Sequence, residues 1–375
     1  MDFNLTEDQL VLQRTLKEFV EHEVEPVAAQ LDTEGRIPDH LIKKLVDLRL
    51  LGMVLPEEYG GTGAGHLNCV LACEQLAYSG TPVWWPVAFN NSIPFNIYQF
   101  GTAEQRRKFL PAFCDGTSIA SIQFTEEDTG SDPDALKTTA IPDGDYYTIN
   151  GSKRFSTFGA RDGYAVVYAK DDTGRCSAFI VKKKTPGYTV QKVWELMGGG
   201  GVEATDVSFE NLKVSQDDLL GGKGKGFQVL LNWIATEKIE QASAAVGIGQ
   251  AALDEAIKYA RSRMVRGKPM SEMQGIRWML AEMKAKIEAA RLMTYRAAFL
   301  QDYKKVNWMT EAAATKIFVV PAMMEVVEMS RRIHGAYGYT KGMKIERLYR
   351  AIPGASVIAV GLEINKSQVA ASILQ

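Results

Sequence analysis

Phe124-Thr125-Glu126-Glu127-Asp128-Thr129-Gly130-Ser131-Asp132 and, further along, Asn150-Gly151-Ser152-Lys153-Arg154-Phe155-Ser156-Thr157 decide how this chain is read. Both look like strand ends meeting turns. In the first, the apolar-polar alternation of Ile119 to Phe124 stops at a cluster of Thr, Glu, Gly, Ser and Asp, so a strand would deliver backbone N–H groups and hydroxyls into a loop able to hold a planar polar ring. In the second, Tyr147-Thr148-Ile149 runs into Asn-Gly, a strong hairpin signal, and the chain is expected to return as Arg154-Phe155-Ser156-Thr157. That return brings an aromatic ring and a hydroxyl beside the first loop. Taken singly, each stretch has a plainer reading, an acidic surface turn and an ordinary hairpin.

Outward from these stretches, residues 118 to about 214 carry short alternating segments separated by Asp143-Gly144, Asp162-Gly163, Thr173-Gly174 and Pro186-Gly187, the pattern of an all-β insert. On its N-terminal side the spacing predicts helices over 5–31, 41–51, 67–78, about 91–100 and 103–113. Gly60-Gly61-Thr62-Gly63 lacks the Lys-Ser/Thr of a phosphate loop and reads as a connector. On the other side, Gly221-Gly222-Lys223-Gly224-Lys225-Gly226 leads into helices over 227–262, 271–302, 308–337 and 355–373, enough for a four-helix bundle. The expected architecture is α+β: an N-terminal α-helical domain (1–117), a middle β domain, barrel-like or a sandwich (118–225), and a C-terminal four-helix bundle (226–375).

Composition narrows the chemistry. The 375 residues are 46% hydrophobic and 23% charged with a formal net charge of −2, which gives no electrostatic case for nucleic acid. Cys69, Cys73, Cys114 and Cys176 include no C-x-x-C, and His22, His40, His66 and His334 are scattered, so zinc and a Ser-His-Asp arrangement are both disfavoured. The chemistry must come from a cofactor or from carboxylates. The acidic start and the lack of an apolar run of membrane-spanning length point to a cytoplasmic protein with no membrane partner.

The T-E-x-x-x-G-S-D string followed by N-G-x-K-x-F-x-T resembles the acyl-CoA dehydrogenase family, and the likeness extends over essentially the whole chain. It implies FAD between the β domain and the bundle. On that likeness the backbone of Phe124 and Thr125 meets the polar edge of the flavin, Ser131 meets pyrophosphate or pantetheine, and Thr157 bonds N5. Phe155 stands where the family has a tryptophan covering the ring. Arg263 and Gln274, from a segment like the family's R-x-x-F-G-x-P…Q, together with Arg332 and the Gly335-Ala336-Tyr337-Gly338 stretch, are implied at the phosphate and adenine end of a neighbouring subunit's cofactor. That sharing implies a homo-oligomer, a homotetramer in the family. Trp84, Trp85 and Asn90 fall in the region that walls the family's acyl pocket, although tryptophans in such a setting are most often plain core. Trp233 could join that wall.

Desaturating a thioester needs a carboxylate in an apolar pocket to take the α-proton. The family's usual source is a Y-E-G-T segment, where this chain has Ala359. A subset, including isovaleryl-CoA and long-chain dehydrogenases, instead takes the base from an E-R pair on the bundle's first helix, and alignment back from Ala245-Val246-Gly247 puts Glu237-Lys238 there. Lys238 would then lie near CoA, and the backbone of Ala359 would still face the thioester oxygen. A plainer reading leaves Glu237 as a solvated charge within Thr236 to Gln241. The implied activity is FAD-dependent α,β-desaturation of an acyl-CoA, branched, cyclic or aryl-substituted, with electrons passed to an electron-transferring flavoprotein. Two alternatives stand beside it: an enoyl-CoA reductase, and a non-catalytic FAD- or CoA-binding subunit.

Overall fold

The computed structural model describes residues 4–130, 132, 135–199, 201–305 and 307–374; Ser131, one of the expected cofactor contacts, lies outside them. The chain opens with six α-helices, α1 (Glu7–Phe19), α2 (Ala28–Glu34), α3 (Asp39–Asp47), α4 (Gly65–Ala77), α5 (Trp84–Phe100) and α6 (Ala103–Cys114). Thr6 and Gln9 form a reciprocal cap that starts α1, and Thr102 with Gln105 does the same for α6. The single helix expected over 5–31 is divided. After α1 the backbone widens into a π turn at Val20–Val24 and tightens over Glu25–Val27, where Pro26 supplies no donor to continue the ladder. Conversely, α5 begins well before the expected Asn91, because Pro86 falls in its first turn, where backbone N–H groups have no helical acceptor anyway.

The middle of the chain forms one eight-stranded sheet from β1 (Ser121–Gln123), β2 (Thr139–Asp143), β3 (Tyr146–Ser156), β4 (Tyr164–Asp171), β5 (Cys176–Lys182), β6 (Tyr188–Val193), β7 (Thr205–Ser215) and β8 (Leu219–Leu220). The order is β6-β7-β3-β2-β4-β5-β8, with β1 parallel beside β4. Alternation along β4 serves two cores: Ala165, Val167 and Ala169 turn into the sheet's own cluster, while Val166 and Tyr168 join the core shared with the helices. Tyr147 of β3 and Phe179 of β5 are not on neighbouring strands, yet their rings lie 4.9 Å apart. The sheet therefore curls over its own side chains, in keeping with the barrel-like domain expected.

The Asn150-Gly151 hairpin is a misreading. β3 runs straight through both residues, and the turn lies earlier, at Gly144 (φ 60°), between β2 and β3. What Asn-Gly supplies is an irregularity in the β3–β7 pairing: the Asn150 side chain accepts from the Asn211 N–H at 2.8 Å, and a Cβ on Gly151 would stand 2.7 Å from the Cα of Thr138. The result expected of a hairpin nevertheless follows, since Arg154 donates its N–H to the carbonyl of Thr125 at 2.7 Å.

A buried ion pair locks that juxtaposition. Lys153 and Glu126 are 1% and 6% exposed, and Lys153 Nζ lies 2.7 Å from Glu126 Oε1 while also donating to the carbonyl of Phe124 at 3.2 Å. The Glu126 carboxylate takes the N–H groups of Lys137 (2.6 Å) and Thr138 (3.1 Å) as well, so one acid gathers the loop after β1, the entry to β2 and the middle of β3.

The C-terminal part holds α7 (Gly226–Ser262), the small ribbon β9 (Met264–Val265) and β10 (Lys268–Pro269), α8 (Gln274–Asp302), α9 (Trp308–His334), α10 (Lys344–Ala351) and α11 (Leu362–Ile373). α10 was not anticipated, and the last helix starts at Leu362, after a stretch in which Ala359 and Val360 both take positive φ. α7 is buried on nearly every side, packing on α4, α5, α8 and α9. Lys153→Met, which strands the Glu126 carboxylate, is expected to lower unfolding free energy by about 3 kcal/mol in denaturant titration, the scale of breaking a buried pair by removing one partner.

Candidate active site

Where the three parts of the chain meet there is a cavity of about 690 Å³. α5 contributes Trp84, Trp85 and Phe89; the sheet contributes Phe124, Thr125, Phe155 and Thr157; α7 contributes Trp233, Glu237 and Gln241; and the segment from Arg350 to Val360 closes it. The walls are mostly aromatic and aliphatic. Trp84 and Trp85 stack at 4.4 Å, and Phe89 stands at the centre, edge-on to Trp85 (5.2 Å), Phe158 (6.0 Å) and Trp233 (6.0 Å).

Glu237 is the single carboxylate of that wall that is wholly buried among the described residues, at 0% exposure. Its Oε1 accepts from the Gln241 amide one turn along at 3.3 Å, and its Oε2 has no partner. Burial pushes the carboxyl up to about 8, and the Lys316 ammonium and the Gln241 amide restrain it from going further. Trp233, on the same face one turn earlier, also keeps its indole N–H buried without a partner. Two unsatisfied polar atoms on an apolar wall are what a ligand with its own donors and acceptors would complete.

Three family descriptions match the chain: "Acyl-CoA dehydrogenase, N-terminal domain" over residues 6–117, "middle domain" over 121–212 and "C-terminal domain" over 224–374. The chain belongs to the acyl-CoA dehydrogenase family. It is 35% identical to acryloyl-CoA reductase (NADH) of Anaerotignum propionicum, over 100% of this chain and 96% of that one. It is 34% identical to 3-(aryl)acrylate reductase of Clostridium sporogenes, over 99% of each. Among solved structures, butyryl-CoA dehydrogenase from Megasphaera elsdenii superposes with a TM-score of 0.97 at 32% identity, covering 100% of both chains.

Acyl-CoA dehydrogenases are FAD oxidoreductases, and the cavity fits that cofactor. Its volume lies within the range of about 300–1,000 Å³ usual for ligand pockets. The strand-end residues Phe124 and Thr125 and the side chain of Thr157 border it together, as a planar polar ring requires. Thr157 is fixed from behind by Ser121, whose hydroxyl donates to its carbonyl at 2.7 Å. Phe155, at φ 54° and half exposed, sets its ring 5.2 Å from Trp194, an aromatic neighbour that the sequence reading did not single out. Trp194 is itself anchored through its indole N–H to Asp206 at 2.7 Å.

Other expected site residues lie elsewhere. Asn90 is fully buried with its amide spent on the carbonyls of Phe113 (2.9 Å) and Ser118 (2.7 Å) and on the N–H of Ala120 (2.9 Å), so it ties α5 to the strand entry and is absent from the cavity wall. Lys238, one residue on from Glu237 and so rotated by about 100°, faces away and donates to Gln368 of α11 at 2.8 Å. Arg263, Gln274, Arg332 and Gly335 are exposed at the ends of α7, α8 and α9 and do not border the cavity, and Gly338 is buried where a Cβ would meet the Arg331 carbonyl at 2.3 Å.

Sequence reasoning missed Lys316 altogether. The only available signal was a lone lysine in the apolar run Ala312-Ala313-Ala314-Thr315-Lys316-Ile317-Phe318-Val319-Val320, where a charge needs a partner.

Glu237 has its folded-state pKa raised above the ordinary value of 4.5, so it should be protonated at pH 6 and ionise as pH rises through about 8. Infrared difference spectra should show a carboxylic C=O band at pH 6 that fades toward pH 9 and is missing from Glu237→Gln. A Glu237 already ionised at pH 6 would contradict this environment.

Proposed function

We propose that this acyl-CoA dehydrogenase family member catalyses α,β-desaturation of an acyl-CoA whose acyl group carries a ring or a branch, with Glu237 as the base that takes the α-proton. The observation that carries this reading is a fully buried carboxyl with one unpartnered oxygen on the wall of an aromatic cavity. FAD supplies the acceptor for the β-hydrogen and its electron pair, and an electron-transferring flavoprotein is the acceptor that reoxidises it. The apolar wall excludes water, which keeps Glu237 a strong base once ionised. Ala359 borders the same cavity, and its backbone N–H would hydrogen-bond the thioester oxygen, easing charge onto it as the proton leaves. Trp84, Trp85, Phe89 and Trp233 favour a flat or bulky apolar group over a short straight chain.

A second reading, reduction of the enoyl-CoA, draws support from the two relatives whose names are those of reductases. In that direction the protonated Glu237 would return a proton to Cα. We also infer that Arg263, Gln274, Arg332, Gly335, Gly338 and Ser131 serve the phosphate and adenine end of FAD across a subunit boundary in a homotetramer, since the first four are exposed and none of them borders the cavity of their own chain.

Glu237→Gln should retain FAD and bind acyl-CoA, yet reduce its flavin about 10²–10⁴-fold more slowly in anaerobic stopped flow. In the wild type, desaturation should accelerate as pH rises through about 8 and enoyl reduction should slow over the same range, since one needs the ionised form and the other the protonated form. Wild-type flavin reduction in Glu237→Gln would sink the assignment of the base. In an acyl-CoA panel, a ring-bearing or branched substrate should outperform butyryl-CoA, and the reverse order would overturn the substrate class. Arg263→Ala should lose FAD more readily on dialysis, and undiminished retention would count against the shared cofactor site.

A further inference from the structure

Behind the cavity wall, α9 carries a lysine that is 0% exposed. Its three ammonium donors meet three consecutive carbonyls: that of Ile358, that of Ala359 at 3.3 Å and that of Val360 at 2.8 Å. These belong to the stretch that lines the cavity together with Glu237. Two of the three residues are left-handed, Ala359 at φ 52° and Val360 at φ 63°. For a β-branched valine that backbone is a genuine outlier, and it persists only where surroundings over-determine it. Asn365, also fully buried, adds a second clamp by donating to the carbonyl of Gly361 at 2.8 Å.

Resting on the assignment of Glu237 as base, we propose that Lys316 is the positioning residue of this site: its ammonium pins the turn that presents the Ala359 backbone to the cavity and sets a positive charge behind Glu237. One side chain thus bears on both groups proposed to meet the thioester, gripping the turn through hydrogen bonds and reaching the base on α7 through its charge. Sterics alone would not need a cation, but three carbonyls converging on one point do, because their dipoles repel unless a charge satisfies them.

The electrostatic half follows from the charges around Glu237. On its own helix, Gln241 donates to it, Lys238 is turned toward Gln368, and Glu240 is buried with both oxygens unpartnered and held neutral by burial. From α9 comes Lys316, whose ammonium favours the ionised carboxylate, while its own affinity for the proton is lowered by burial and restored in part by Glu237. From α4 and α5 the groups against Glu240 are the neutral Cys69 and Ser92. Arg154 and Arg350 also border the cavity, but they are paired with Glu127 and Asp206 and with Asp32 and Glu346 respectively, which leaves Lys316 as the cation that bears on Glu237. Removing it must raise the pH at which Glu237 ionises, the direction opposite to that expected of an arginine, which cannot lose its charge.

The test compares Lys316→Met and Lys316→Arg with wild type. In the FAD-loaded enzymes, the pH profile of flavin reduction should move up by at least about one unit in Lys316→Met and should not move up in Lys316→Arg. Burial lowers the Lys316 ammonium itself to about 8, so the rates are compared at pH values that ionise Glu237 to the same extent, where Lys316→Met should still be about tenfold slower because the turn carrying Ala359 is no longer pinned. Full recovery there would overturn the part of the proposal that concerns the turn. A second readout needs no cofactor: the Glu237 carboxylic band should persist to higher pH in Lys316→Met, and an unshifted band would overturn the electrostatic part. If Lys316→Met does not fold, Lys316→Arg decides, since an upward shift in its band contradicts the charge assignment and an unchanged or lowered one supports it. Flavin reduction unaffected by Glu237→Gln would remove the base itself, a failure distinct from either of these.

Discussion

Withholding water from one carboxyl group is the constraint on which the rest of this structure depends. Glu237 sits about a third of the way along a helix buried on almost every side, and an ionised carboxylate there is disfavoured by several kcal/mol unless something offsets its desolvation. The chain meets that demand partially. One amide touches the carboxyl, one cation stands behind it, and one oxygen is left without a partner. A fully satisfied carboxylate would be a stable and inert ion; a wholly unsatisfied one would stay protonated at any working pH. The intermediate arrangement gives a group that can hold or release a proton near neutrality, as a general base or acid requires.

Keeping water out takes all three parts of the chain. α5 brings a block of aromatic rings, the sheet brings the loop after β1 and the end of β3, and the C-terminal part brings α7 and the turn near Ala359. The sheet's contribution depends on the Glu126–Lys153 pair, which holds the loop against the strand from within the protein. On another wall Lys316 performs a similar task, with carbonyls in place of a carboxylate. Two buried lysines, each bonded to more than one oxygen, thus fix two walls of the cavity in which a ligand would lie.

Much of this was legible in the sequence, and what was not has physical causes. Long apolar periodicities gave the helices and the order helix, strand, helix, because burial of a face is imprinted over many residues. The Asn150-Gly151 hairpin failed because the same dipeptide serves a turn or a strand irregularity, and the choice belongs to a distant neighbour, Thr138, which leaves no room for a Cβ. Asn90 and Lys238 were placed in the site by position, yet the first is consumed by three backbone groups and the second lies one helical step round from the cavity. Lys316 escaped notice because its partners are main-chain carbonyls, which have no signature in sequence. Glu237 was found by resemblance instead, since alignment back from Ala245-Val246-Gly247 set it on the E-R pair of a family subset.

The central claim is that Glu237 exchanges a proton with Cα of a bound acyl-CoA. Solvent deuterium uptake at Cα, followed by NMR with an acyl-CoA analogue that has sulfur in place of the β-carbon and so cannot proceed to desaturation, isolates that step. Uptake should be rapid in the wild-type enzyme and nearly abolished in Glu237→Gln, with binding of the analogue retained. Uptake at the wild-type rate in Glu237→Gln would contradict the account.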